Sequence, residues 1–220
     1  MKKILDKITA FYKKISDVAT PTAILAIICI VVTLALSSAN LLTKGTIKEL
    51  QIKNENAARQ KLMDGDYEEA KITIDGNEIN YHVVKDKTDG KIVGYIFKTA
   101  AKGYGGEITV MTAINADASV AAVEILDASG ETPGLGQNVT KESFYGQFEG
   151  HPHDIVAVKG GAADKVKNEI NAVTGATISS KAVTGAVNEA INYAIKVIET
   201  NGDDNAIIMQ SFLPEGDELK

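Results

Sequence analysis

From Val18 to Thr43 no residue carries a charge, an interval of 26 positions, and within it AILAIICIVVTLAL (Ala23–Leu36) is apolar at almost every step. Roughly 20 apolar residues rising about 1.5 Å each cross a hydrocarbon core of about 30 Å. The pattern predicts a transmembrane helix over residues 21–43. A cleaved signal peptide is the competing reading, and Ser37, Ser38 and Ala39 offer it small residues for cleavage. The 17 residues ahead of the uncharged run are long for such a leader, which favours a permanent anchor. Cys29, in mid-span, reads as a small buried apolar residue.

Beyond the span the periodicity changes. Lys44 to Met63 reads as a polar helix with a partial apolar face of Ile47, Leu50, Ile52 and Leu62, either continuing the membrane helix or forming a stalk. Five β-rich runs follow: 71–74, 79–84, 92–98, 107–114 and 120–126. The turn-forming stretches DGNE, DKTDGK, AKGYGG and NADAS separate them, and hairpin-like spacing predicts an antiparallel meander. A glycine-rich loop, DASGETPGLGQ, leads to a short helix at 141–148 and a strand at 155–158. A second turn region, 160–164, precedes a long helix from Ser179 to about Glu199. The face Ala182, Val183, Ala186, Ala190, Ile191, Ala194, Val197 and Ile198 is apolar at steps of three and four. The expected class is α+β: an N-terminal segment (1–20), a single transmembrane helix (21–43), a domain with an antiparallel sheet and a long C-terminal helix (44–200), and an acidic tail (201–220).

Charge orients this arrangement. Residues 1–21 hold five of the 23 basic residues and two of the 29 acidic ones, so the first segment is net +3 and the remainder net −9. Positive flanks stay cytoplasmic. The N-terminus is therefore expected inside and everything after about Lys44 outside, in a single-pass cell (inner) membrane protein. A net charge of −6, no Trp and 5% aromatic residues argue against nucleic acid as partner. One Cys allows neither an intrachain disulfide nor a Cys-built zinc site. His151 and His153 flank a proline, and His82 lies far off in sequence, so no metal set is expected.

Three stretches carry candidate chemistry. In Asn171–Val183, a turn at Gly175 runs into the long helix, and Thr174, Thr177, Ser179 and Ser180 crowd hydroxyls at its start. Such hydroxyls cap backbone N–H groups, and a helix N-terminus also attracts phosphate. The pentapeptide AVTGA occurs at 172–176 and again at 182–186, but only the first copy continues with a hydroxyl, Thr177. In ETPGLG, Glu131–Gly136, Pro133 and Gly134 favour a type II turn, and Gly134 and Gly136 around Leu135 let backbone approach a ligand. Gly103–Gly106, GYGG, is a glycine loop bearing Tyr104. No catalytic triad, P-loop or dinucleotide fingerprint is present.

Together the single span, GYGG, ETPGLG and TGATISS (174–180) resemble the covalent-FMN-binding domain family, nearest the G subunits of Rnf-type electron-transport complexes. The C subunits of Na⁺-pumping NADH:quinone reductases are close relatives. The resemblance runs from the anchor to about Ile198. It implies an extracytoplasmic FMN-binding domain and FMN attached by its phosphate, as a phosphodiester, to Thr177, which would make the chain a phosphoprotein. A separate flavin transferase makes that bond in the family. The family pattern carries Asp three residues before the motif's first hydroxyl residue, where this chain has Asn171; Ser179 matches a position the family fills with a hydroxyl.

Thr174, Gly175, Ala176 and Ser179 would surround the phosphate. The ring system would lie near Glu131, Thr132, Gly134, Leu135, Gly136, Gly103 and Tyr104. The resemblance further implies electron flow from ferredoxin to NAD⁺ coupled to Na⁺ or H⁺ export, with this chain as one relay among membrane and iron–sulfur subunits, not catalytic alone. Two alternatives stand beside it: the corresponding component of the quinone reductase, and a membrane-anchored binding or assembly module without flavin.

Overall fold

The structure, a computed structural model, describes residues 2–161 and 163–201; the expected acidic tail lies outside the described residues from 202 onward. The chain divides into two units, the first ending at Lys53 and the second beginning at Asn54.

The first unit belongs to helix α1, Lys2–Leu62. Its apolar stretch reaches a mean hydropathy of 2.5 over 18 residues, none of it buried within the chain. Three hydroxyls along it bond within the helix. Thr33, Ser38 and Thr43 donate to the carbonyls of Cys29, Leu34 and Ala39, four residues back, at 2.7, 2.8 and 2.9 Å. Hydroxyls bonded back into the helix in this way suit a hydrocarbon surrounding.

In the second unit, β1 (Asp66–Ile74), β2 (Asn77–Lys85), β3 (Ile92–Lys102), β4 (Glu107–Asn115) and β5 (Val120–Asp127) form one antiparallel sheet in chain order, the predicted meander. A short helix α2 (Glu142–Tyr145) and a 3-10 turn (Gly146–Phe148) follow, then β6 (Val156–Val158) and β7 (Glu169–Asn171), which pair in parallel. Helix α3, Thr177–Asn201, closes the unit. It starts two residues ahead of the expected Ser179.

Alternation along the strands sends Tyr81, Phe97, Ile108, Val110 and Ile114 to one face, where α3 packs. Alanines 182, 186, 190 and 194 let the helix lie close, and the buried Thr99 hydroxyl donates to Ala186 O at 2.9 Å. Val84, Ile96, Met111 and Ala113 face the other way and are covered by Ala58 and Leu62 of the last turns of α1. Lys98 meets Glu55 at 2.6 Å and Lys61 meets Glu124 at 2.7 Å, while Arg59 bonds His82. The sheet is thus sandwiched between α3 and the end of α1.

This layering brings three segments to one end of the sheet. The β3–β4 hairpin tip, the loop leaving β5 and the N-terminus of α3 lie together there. Gly105 and Gly106 approach Gly130 so closely that a methyl on Gly105 would strike Gly130 O.

Candidate functional site

Glu131 is where these segments meet. The residue is only 2% exposed. Ser179 Oγ, in the first turn of α3, donates to Glu131 Oε2 at 2.6 Å, and Gly105 N–H donates to Oε1 at 3.0 Å. Burial pushes the Glu131 carboxyl pKa up, but the Ser179 hydroxyl and the N–H groups of Gly105, Gly106 and Tyr104 outweigh it. The group is held below its usual range and stays ionised. The carboxylate also explains two glycines: a methyl on Gly103 would strike Oε1, and one on Gly136 would strike Oε2.

The loop after Glu131 turns as its sequence dictates. Leu135 N–H donates to Thr132 O at 3.2 Å, and Gly134 sits at φ 75°, the left-handed third position of a type II turn. The segment entering α3 is fixed as firmly. Gln147 Oε1 accepts from Asn171 N–H at 2.8 Å. Val173 N–H donates to Ser180 Oγ at 2.9 Å, and that hydroxyl donates to Ala176 O at 2.9 Å. Gly175, at φ 79°, makes the last bend.

These segments enclose an open cavity of about 450 Å³ lined by Tyr104, Glu131, Thr132, Leu135, Gly136 and residues 175–179. Ligand pockets run from about 300 to 1,000 Å³. Thr177, the first residue of α3, is half-buried on its wall, and no described residue hydrogen-bonds its hydroxyl. The first helical N–H with an intrahelical acceptor is that of Ser180, donating to Ala176 O at 2.9 Å. The N–H groups of 177–179 precede it at the positive end of the helix dipole. The rim is apolar and solvent-facing: Tyr104 is 71% exposed, Ile178 55% and Leu135 47%. The wall thus joins a hydroxyl without a partner among the described residues and helix-start N–H donors to exposed apolar side chains.

Of the residues singled out from sequence, Tyr104, Glu131, Thr132, Leu135, Gly136, Gly175, Ala176, Thr177 and Ser179 line the cavity. Gly103 and Gly134 do not line it; Gly103 leaves room for Glu131 Oε1 and Gly134 makes the turn, and Thr174 is exposed just before α3 without lining it. Sequence reasoning missed Ile178, the contact of Gly105 and Gly106 with Gly130, and Gln147. Ile178 is flagged only by its place beside Thr177, and nothing in the local sequence marks Gln147. His82, His151 and His153 sit apart from the cavity: on β2, buried near Asn168, and exposed beside Asp154.

Comparison with known proteins bears on the same segments. The chain matches the FMN-binding domain family over residues 103–192, from the hairpin tip into α3. It is 36% identical over 184 residues to the G subunit of the Na⁺-translocating ferredoxin:NAD⁺ oxidoreductase complex of Acetobacterium woodii, covering 76% of this chain and 87% of that one. It is 43% identical over 102 residues to the G subunit of the proton-translocating ferredoxin:NAD⁺ oxidoreductase complex of Clostridium ljungdahlii, covering 46% and 53%. The crystal structure of the C subunit of the Na⁺-translocating NADH-quinone reductase from Parabacteroides distasonis shares the fold, with a TM-score of 0.51, 20% identity and coverage of 66% and 82%. With 36% identity over most of both chains and the matched domain spanning the cavity-forming segments, the chain belongs to the family of G subunits of ion-translocating ferredoxin:NAD⁺ oxidoreductase complexes.

Proposed function

We propose that this chain is the electron-relay subunit of a membrane ferredoxin:NAD⁺ oxidoreductase complex, carrying electrons on FMN bound through a phosphodiester to Thr177. The observation that carries the reading is the Thr177 hydroxyl, without a hydrogen-bond partner among the described residues, on the wall of a glycine-lined cavity where α3 begins. The residues fit the cofactor. The α3 N–H groups and dipole favour the phosphate's charge, Gly175 leaves space beside the hydroxyl, and Leu135, Ile178 and Tyr104 supply apolar surface for the rings. When bound, FMN supplies one- and two-electron chemistry. The start of α3 would hold the phosphate, and Leu135, Ile178 and Tyr104 would orient the rings.

Domain limits and orientation belong to the same proposal. Residues 1–20 lie in the cytoplasm, 21–43 span the cell membrane, and 44–200 form the extracytoplasmic FMN-binding domain. Ferredoxin and NAD⁺ are then on the opposite side from this flavin, so electrons reach and leave it through other membrane and iron–sulfur subunits, coupled to Na⁺ or H⁺ export. A separate flavin transferase forms the bond to Thr177. A covalent bond retains the nucleotide where a dissociated one would be lost. Sequence likeness over most of both chains favours the ferredoxin-linked complex over the quinone reductase.

Intact mass of the full-length chain, purified from a host that contains the transferase, tests this reading. The expected gain is that of FMN less one water, with flavin absorbance. A colourless chain at its sequence mass refutes the redox reading and leaves the binding-module alternative.

A further inference from the structure

Glu131 is an unusual resident of a cavity wall. It is almost fully buried, and it is surrounded by donors that carry no net charge: the Ser179 hydroxyl at 2.6 Å and Gly105 N–H at 3.0 Å, with Gly106 and Tyr104 N–H beside them. Among the described residues no Lys, Arg or His forms an ion pair with it, whereas the acidic residues of the outer surface that do pair, such as Glu124 and Glu55, have lysine partners. Dipoles satisfy its oxygens without cancelling its charge. A buried anion normally needs a cation or a metal. Tethering the hairpin tip to α3 requires only an acceptor, so the net charge calls for a separate explanation.

We infer that Glu131 is a positioning residue whose fixed negative charge, set into the wall of the flavin cavity, holds the reduction potential of the bound FMN low. The inference rests on the proposed FMN site. Reduction adds electrons, supplied by a neighbouring iron–sulfur or flavin centre, to rings lying against this wall. A fixed anion there disfavours every reduced form that gains negative charge, and charge placed near the ring system is a principal means by which a protein tunes a flavin. At an effective dielectric of about 20, removing a unit charge within about 12 Å changes an electron-uptake constant roughly tenfold or more.

The test is a reductive titration of the full-length flavinylated protein with dithionite and indicator dyes, comparing wild type with Glu131→Gln, which keeps an acceptor and removes the charge. The expected result is an uptake constant at least about tenfold larger in the variant, a positive shift of about 59 mV for a one-electron step. An unchanged or more negative potential overturns the inference.

Should Glu131→Gln fail to load flavin, Ser179→Ala replaces it. That variant keeps the carboxylate but removes a donor that holds its proton off, so its potential rises above that of wild type by more at pH 5.5 than at pH 8. Parallel pH profiles overturn the inference. A wild-type chain without flavin sinks the site reading itself, whereas flavin present at an unmoved potential sinks only the role given to Glu131.

Discussion

Ser179→Ala removes one hydroxyl from the centre of the site, and its cost follows from the geometry. The lost bond runs to an ionised carboxylate at 2.6 Å with almost no exposure. Hydrogen bonds to charged groups contribute roughly 1.5–3 kcal/mol, against about 0.5–1.5 for neutral pairs. For a domain of about 150–250 residues each kcal/mol shifts the thermal midpoint by about 2–4 °C, so the expected drop is roughly 3–12 °C. The chain has seven Tyr and no Trp, so tyrosine fluorescence or far-ultraviolet circular dichroism of the detergent-solubilised full chain is the readout. The charge assistance is isolated by repeating the substitution in a Glu131→Gln background, where the cost should fall below about 1.5 kcal/mol. An equal cost in both backgrounds, or a cost below about 0.5 kcal/mol in wild type, refutes the claim that Glu131 is ionised and held through Ser179.

Three further outcomes are expected. Asn188 clasps the Ile155 backbone twice, accepting its N–H and donating to its carbonyl, each at 2.9 Å, so Asn188→Ala should destabilise by about 1–3 kcal/mol in the same assay while leaving flavin content unchanged. Tyr104→Ala should shift the midpoint by no more than the about 0.5 kcal/mol usual at exposed sites, yet alter the visible band shape or quenching of bound flavin; an unaltered spectrum argues against Tyr104 flanking the rings. Burial holds the His82 and His151 pKa values below the ordinary 6.5, with Arg59 adding to the effect at His82. The unfolded chain therefore takes up protons first as pH falls below about 6.5, stability drops until the folded histidines titrate, and the midpoint should be lower at pH 5.5 than at pH 7.5, less steeply in His82→Gln.

Much of the fold was legible because the chain announces it locally. The uncharged run, the alternating strands with glycine and aspartate turns between them, and the three- and four-residue apolar steps of α3 each carry their own periodicity. The misses are equally physical. β1 begins at Asp66 rather than Lys71, because DYEEA is too charged to read as a strand; it is an edge strand, paired only with β2, whose exposed face tolerates charge. β7 is three residues long, too short for any period to show, and exists through its parallel partner β6.

At the site, the glycine clusters and the hydroxyls ahead of α3 were visible as local features, but their convergence on one cavity was not. Glu131 meets Ser179 across 48 residues and Gly105 across 26, separations no local pattern encodes. The two AVTGA copies show the limit of local sequence. The first is a turn with Gly175 at φ 79°, while the second lies inside α3, where the Thr184 hydroxyl donates to Ser180 O at 2.9 Å.

The most direct measurement of the central claim is in-gel flavin fluorescence after denaturation, on full-length wild type, Thr177→Ala and Thr174→Ala expressed together with the transferase. The account predicts a fluorescent band in wild type and in Thr174→Ala and none in Thr177→Ala. A band that survives Thr177→Ala would contradict it.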